Sequence, residues 1–190
     1  MGGRVRLVQR GLEHALDEYL VLSAQAGSRE AFAQLARRWT PKLIAFAQRM
    51  LNDQEAGRDA VQETWVSAWR GFGALGDPAR FRAWLYAIAH RKCADALRAR
   101  YRGRRLEGAL AESAEGSSGD EAGRADARLD LTQAMARLPT EQRVAVSLYF
   151  GEEMSVAEIA EVTGAPVGTV KSRLFAARQA LRGHLEGVVK

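Results

Sequence analysis

Cysteine is nearly missing from this chain: Cys93 is the only one in 190 residues. An internal disulfide is therefore excluded, and the usage fits a reducing compartment. No stretch approaches the roughly 20 uninterrupted apolar residues that span a bilayer. Met1 to Arg10 carries three arginines with no apolar run behind them, so no secretory signal and no membrane insertion are expected, and the expected address is cytoplasmic. Histidine is scarce and scattered (His14, His90, His184), and neither HExxH, CxxC nor a Gly-rich phosphate loop occurs. His90 and Cys93 share a helix face, but two ligands fall short of a four-ligand zinc site, and a lone cysteine is more often a small buried apolar residue. No cofactor, metal or catalytic residue is expected, and the chain does not read as an enzyme. Alternating strand patterns are also missing, which leaves an all-α fold.

The apolar content of 47% suits one medium domain or two small ones. Charge is unevenly spread. Residues 1–105 hold 19 Lys+Arg against 10 Asp+Glu, residues 106–128 hold 2 against 6, and residues 129–190 hold 7 against 7. Within the last block, 129–164 carries 2 basic against 6 acidic residues and 165–190 carries 5 against 1. Basic charge thus gathers in two separated places. Such patches attract phosphate backbones, although Arg-rich helix faces are also common as solvated surface.

Three segments follow. In residues 12–105, Phe32, Leu35, Trp39, Leu43, Ala47 and Met50 recur at helical spacing, interrupted at Thr40-Pro41, which predicts two helices or one kinked helix. Val61, Trp65, Ala68, Trp69 and Phe72 form the next stripe; Gly71, Gly73 and Gly76 mark a loop. Asp77-Pro78 then restarts a helix as cap and first-turn proline. The tryptophans lie between residues 39 and 84, and core packing is the expectation for most of them. Residues 106–128, rich in Gly, Ser, Ala and Glu, have too little apolar surface to offset ordering entropy and read as a flexible acidic linker. Residues 129–190 are helical again: Leu131, Met135 and Leu138 before Pro139, then a helix capped by Thr140 and closed by Gly151. Two small helical domains, 12–105 and 129–190, are therefore expected, with 1–11 a disordered extension.

The sharpest signal is Ser155 to Arg182. Ser155 with Glu158 makes a capping box for a short helix from Val156 to Val162, with Ile159 and Ala160 facing inward. Thr163-Gly164-Ala165-Pro166 turns the chain, and a longer helix starts near Val167. Its Val170, Leu174, Ala177 and Leu181 fall on one narrow arc, while Gly168, Ser172, Phe175, Ala176 and Gln179 point away. Thr169, Lys171, Arg173, Arg178 and Arg182 lie on the flanks. Reading a major groove needs this layout: one helix across the backbone, the next inserted among base edges, cations on phosphates. An ordinary helical hairpin with a solvated basic face is the alternative.

These residues resemble a known family. Leu138-Pro-Thr-Glu-Gln-Arg143, Ser155-Val-Ala-Glu-Ile-Ala160 and Val167-Gly-Thr-Val-Lys-Ser-Arg173 look like region 4 of extracytoplasmic-function sigma factors, a branch of the sigma-70 family. Asp59-Ala-Val-Gln-Glu-Thr-Trp65 with Ala68-Trp69-Arg70 looks like the polymerase-binding helix of region 2, and Phe81-Arg-Ala-Trp-Leu-Tyr-Ala-Ile-Ala89 like the helix after it. The resemblance covers about residues 17–102 and 129–186. Both blocks, in this order across a linker, make it specific.

The resemblance implies a factor that binds core RNA polymerase, through the β′ clamp and β flap, and directs promoter recognition, in answer to stress or envelope signals. Asp59, Gln62, Glu63, Trp65 and Arg70 would dock on the β′ clamp, with Trp65 or Trp69 as the apolar anchor. The loop Phe72, Gly73, Ala74, Leu75, with Arg82, Arg91, Lys92 and Arg98 beyond it, would hold the melted −10 strand. Gly168, Thr169, Lys171, Ser172, Arg173, Phe175 and Arg178 would serve −35, with Lys171, Ser172 and Phe175 on base edges and Thr169, Arg173 and Arg178 on phosphates. An anti-sigma factor wedged between the domains is implied as a further partner. This sequence departs from the family pattern at His90-Arg91, where Arg-Asn is frequent, at the uncharged −10 loop, and at Ala176, where a basic residue is common. A LuxR-type regulator shares the Ser155 to Leu181 pattern, but it requires a receiver or ligand-binding domain upstream, and residues 12–105 show no strands to build one.

Overall fold

The computed structural model describes the backbone of residues 2–110 and 133–188, and the side chains of 11–103 and 133–183. Every regular element among them is helical. Helix α1 (Gly2–Gln25) leads through a tight turn to α2 (Arg29–Leu51), followed by α3 (Gln54–Gly71), two short 3-10 turns (Phe72–Ala74 and Pro78–Arg80) and the long α4 (Phe81–Leu110). The C-terminal half holds a helical stretch at 133–137 (α5), then α6 (Thr140–Val146), a π turn (Ser147–Gly151), α7 (Val156–Thr163) and α8 (Val167–Val188).

Local chemistry sets these boundaries. Ser28 caps α2 by accepting from the Ala31 N–H at 3.2 Å. Asn52, in the left-handed region at φ 50°, ends that helix, its N–H returning to the Gln48 carbonyl. Asp53 then accepts from the N–H groups of Glu55 and Ala56 and starts α3. Pro41 lies inside α2, so the expected break at Thr40-Pro41 resolves into one continuous helix. Its buried stripe of Leu35, Trp39, Leu43, Phe46, Ala47 and Met50 spans the proline and outweighs the lost backbone bond.

Two expected boundaries move. The first residues, read as a disordered extension, are helical backbone from Gly2, with no proline between 2 and 25 to stop α1. Residues 106–110, expected to open the linker, are instead the last of α4, which runs to Leu110. The remainder of that linker, through 128, lies outside the described residues, as does Leu131.

The N-terminal half closes around Phe46, Phe81, Leu85 and Tyr86, all fully buried; Phe46 meets Tyr86 edge-to-face at 5.3 Å, and Trp39 meets both Phe81 and Tyr86 edge-on. Gly57 lets α3 cross close to α2: a Cβ there would stand 3.0 Å from Gln48 Cγ. The C-terminal half closes around Leu148, Ile159, Val170 and Ala177. Buried side chains of both halves belong to one continuous apolar cluster, and α4 lies against α7. The two bodies expected on opposite ends of a linker are thus folded against each other.

Candidate polymerase and nucleic-acid interfaces

The helix-turn-helix has the geometry its sequence predicts. Ser155 accepts from the Glu158 N–H at 3.2 Å, and the Glu158 carboxylate accepts from the Ser155 N–H at 2.8 Å, closing the capping box. Burial opposes ionisation of Glu158, but the Ser155 N–H and hydroxyl outweigh it, with help from the Arg82 and His14 charges, and hold the carboxyl below its ordinary value. Gly164 makes the turn at φ 66°, a conformation that favours glycine. Thr140, expected as the cap of α6, is instead its first residue, and Pro139 holds the cap position.

On α8, Val170, Leu174 and Ala177 are buried beneath an outer face carrying Gly168, Lys171, Ser172, Phe175 and Arg178. Phe175 is 66% exposed. No atom outside the helix lies within 4 Å of where a Gly168 Cβ would be, so that surface is open. Thr169 is half-buried, and its carbonyl accepts from the Ser172 hydroxyl at 2.9 Å. Arg173 is held by Glu141 of α6 at 3.0 Å and is mostly buried, so it is tied down where a free phosphate contact was expected.

Phe72, on the apolar stripe that its spacing predicts, is a core residue packing edge-on against Phe32 and Phe81, and Leu75 in the following loop is buried as well. Gly73 and Ala74 between them stay exposed. The two apolar anchors therefore fix the loop and cannot reach a strand without leaving the core. Gln25, which sequence reasoning missed, pins it from α1: its amide donates to the Phe72 and Leu75 carbonyls at 3.2 and 2.7 Å. A polar residue just before a Gly27 turn offers no sequence signal for such a bond.

Beyond the loop, Asp77 caps the turn that precedes α4. Arg91 and Arg98 are exposed along α4, Arg98 paired with Asp95. Lys92 meets Glu63 of α3 at 3.0 Å, joining one expected strand contact to one expected polymerase contact. Arg100 donates to the Leu51 carbonyl at 3.1 Å, and the side chains of Arg104 and Arg105 lie outside the described residues. Arg82 is only 20% exposed and faces Glu158 at 3.3 Å.

On α3, Asp59, Gln62, Glu63 and Arg70 share an exposed face. Its aromatic is Trp69, which is 54% exposed, with Val66 beside it. Trp65, the other tryptophan that could anchor a partner, is half-buried and donates its indole N–H to Thr40 at 2.9 Å. Both tryptophans meet Phe32 edge-to-face. Val66 went unread, although it completes the 59, 62, 66, 69 spacing of that face.

Cys93 is buried, and burial pushes its thiol up to about 12, far from the reactive thiolate range. His90 sits where the halves meet. Burial lowers its imidazole below the ordinary 6.5; Glu141 opposes this, and Arg173, Arg91 and Arg98 reinforce it. The folded state thus favours the neutral ring. Its contribution to stability is complete above 6.5 and is lost as pH falls through the lowered folded value. Between about pH 7 and about pH 5 the urea midpoint of the protein is expected to fall more steeply than that of His90→Gln. Parallel slopes would remove His90 from the acid response.

Two helical halves, one with a helix-turn-helix and one with a polar-rimmed aromatic face beside a basic helix, define a DNA-binding factor with a protein-docking surface. Residues 35–103 match Sigma-70 region 2 and residues 128–181 match Sigma-70, region 4. The RNA polymerase sigma-H factor of Pseudomonas aeruginosa is 31% identical over 92% of this chain and 96% of its own length. The ECF RNA polymerase sigma factor SigL of Mycobacterium tuberculosis is 38% identical over 74% of this chain and 80% of its own. Among solved structures, the sigma factor RpoE of Bartonella quintana, in complex with the anti-sigma factor NepR, superposes with a TM-score of 0.67 at 27% identity, over 82% of this chain and 96% of that one. The chain belongs to the extracytoplasmic-function branch of the sigma-70 family.

Proposed function

We propose that the chain binds core RNA polymerase through α3 and directs it to promoters, α8 reading the −35 element and the α3–α4 loop with α4 holding the −10 strand. The observation that carries this reading is the pairing, in one chain, of an exposed α8 face with a separate α3 face that combines Trp69 and Val66 with Asp59, Gln62, Glu63 and Arg70. A regulator that only read duplex DNA would have no use for the second surface. On this reading Lys171, Ser172 and Phe175, all exposed on α8, contact base edges, and Arg178 contacts a phosphate. The work is done in the cytoplasm and without catalysis by the chain itself: the polymerase supplies the chemistry, and the factor supplies placement. An anti-sigma factor that covers the α3 face would switch the factor off. Among the described residues no helix is long and apolar enough to cross a membrane.

Transcription by core polymerase on genomic fragments, with and without the chain, tests the reading, and promoter-specific transcripts are expected only with it. In the same assay Lys171→Ala is expected to cost about 1–3 kcal/mol at preferred −35 sequences and to change which bases are preferred. Arg178→Ala should weaken all sequences alike. Equal loss on every sequence for both variants would refute the assignment of Lys171.

A further inference from the structure

The exposed large apolar side chains of this protein come mostly in company. Four follow one another along α1, Val66 accompanies Trp69 on α3, and Tyr149 meets Phe150 edge-on. Tyr101 stands apart from them. It is 64% exposed near the end of α4, and its neighbours in the chain are Arg100 and Arg102. Arg98 lies one turn earlier, on the side of the helix that carries the ring. Arg100 is occupied elsewhere: it donates to the Leu51 carbonyl and faces Asp53 at 3.7 Å. Arg91, Arg98 and Arg102 are all exposed along one side of α4, against a single carboxylate on that side, Asp95, which pairs with Arg98. An exposed ring is thus set into a rail of cations.

We propose that Tyr101 is a stacking platform for one unpaired base, at the end of the −10 strand track farthest from the Gly73–Ala74 loop. The proposal rests on the reading of α4 given above and adds a residue to it. A base inside a duplex has both faces covered by its neighbours, so a protein ring gains nothing from it. An unpaired base has a free face, and laying that face on a phenol ring takes apolar surface of both out of water. The arginines do the complementary work. Arg98 and Arg102, on either side of the ring in the chain, hold phosphates while the ring holds the base. Phe81 and Tyr101 are the length of about 30 Å of helix apart, so the loop and the ring mark the two ends of one track. Every base has a flat face, so Tyr101 adds affinity for the opened strand without choosing its sequence.

The test uses the full chain with core polymerase and a promoter recovered in the transcription assay above. That promoter is pre-melted by mismatches across −10 and carries 2-aminopurine at one unpaired position at a time. Stacking on a ring quenches this base. One position near an edge of the melted segment is expected to be dim with the wild type, bright with Tyr101→Ala and dim again with Tyr101→Phe, because the ring and not the hydroxyl does the stacking. Affinity for the pre-melted promoter is expected to fall about tenfold in Tyr101→Ala. An abasic site at the same position should cost the wild type that factor and cost Tyr101→Ala nothing further. The thermal midpoint of the free chain should not move, since the ring is mostly exposed. Quenching that survives Tyr101→Ala at every position, a Tyr101→Phe variant that behaves as Tyr101→Ala, or an equal abasic loss in wild type and Tyr101→Ala would each overturn the stacking. The Arg91→Ala, Arg98→Ala double variant separates the two layers. Weaker promoter binding there with no change in Tyr101→Ala defeats the stacking alone, whereas unchanged binding there defeats the reading of α4 and the stacking with it.

Discussion

Trp69→Ala is expected to weaken association with core RNA polymerase by about 2 kcal/mol, roughly thirtyfold, while leaving the thermal midpoint of the free chain nearly unchanged. The ring is 54% exposed, so truncating it removes little of the core. One side of it is braced by Phe32, 4.8 Å away and edge-on, which fixes the indole before any partner arrives and limits the ordering cost of binding. Val66 extends the apolar surface, and Asp59, Gln62, Glu63 and Arg70 form a rim that excludes water around it. That is the arrangement in which a single aromatic carries most of an interface. Trp65→Ala should behave oppositely. It loses the bond to Thr40 and its packing on Phe32, so the cost falls on folding. Fluorescence titration against core polymerase, beside thermal unfolding of the free proteins, separates the two. Unchanged affinity for Trp69→Ala would place the polymerase contact elsewhere.

The contrast between those two tryptophans shows where the sequence could be read and where it could not. They are four residues apart, both fit the stripe that Val61 and Ala68 define, and helical spacing cannot say which lies at its edge. The helix-turn-helix was legible because its signals are local: the Ser155–Glu158 box, the turn at Gly164 and the Val170, Leu174, Ala177 stripe each involve residues within one or two turns. What stayed hidden depends on partners far along the chain. Arg173 reads as a free cation until Glu141 is seen beside it, and Leu75 reads as a loop residue until it is found buried, its carbonyl held by Gln25. The packing of the two halves was hidden for the same reason. Arg49, Tyr86 and Glu152 lie in three unremarkable contexts, and only the fold brings them together.

Ile159→Ala, by the same reasoning, is expected to lower stability by about 2–5 kcal/mol, the range for truncating a fully buried aliphatic side chain. Ile159 is 0% exposed, packed in the cluster that also holds Leu148, Val170 and Ala177. The vacated volume cannot refill easily, because α7 is held at one end by its capping box and at the other by the left-handed Gly164 turn. The consequence for DNA differs in kind from that of Lys171→Ala. Ile159 touches no base, so loosening α7 against α8 should weaken every −35 sequence by the same factor, and lowering the temperature should recover binding as the folded fraction rises. Lys171→Ala should keep the wild-type urea midpoint and lose discrimination at all temperatures. Urea unfolding followed by far-ultraviolet circular dichroism, paired with binding to a panel of −35 variants, measures both. A base-dependent loss in Ile159→Ala would mean that α7 itself reaches the groove.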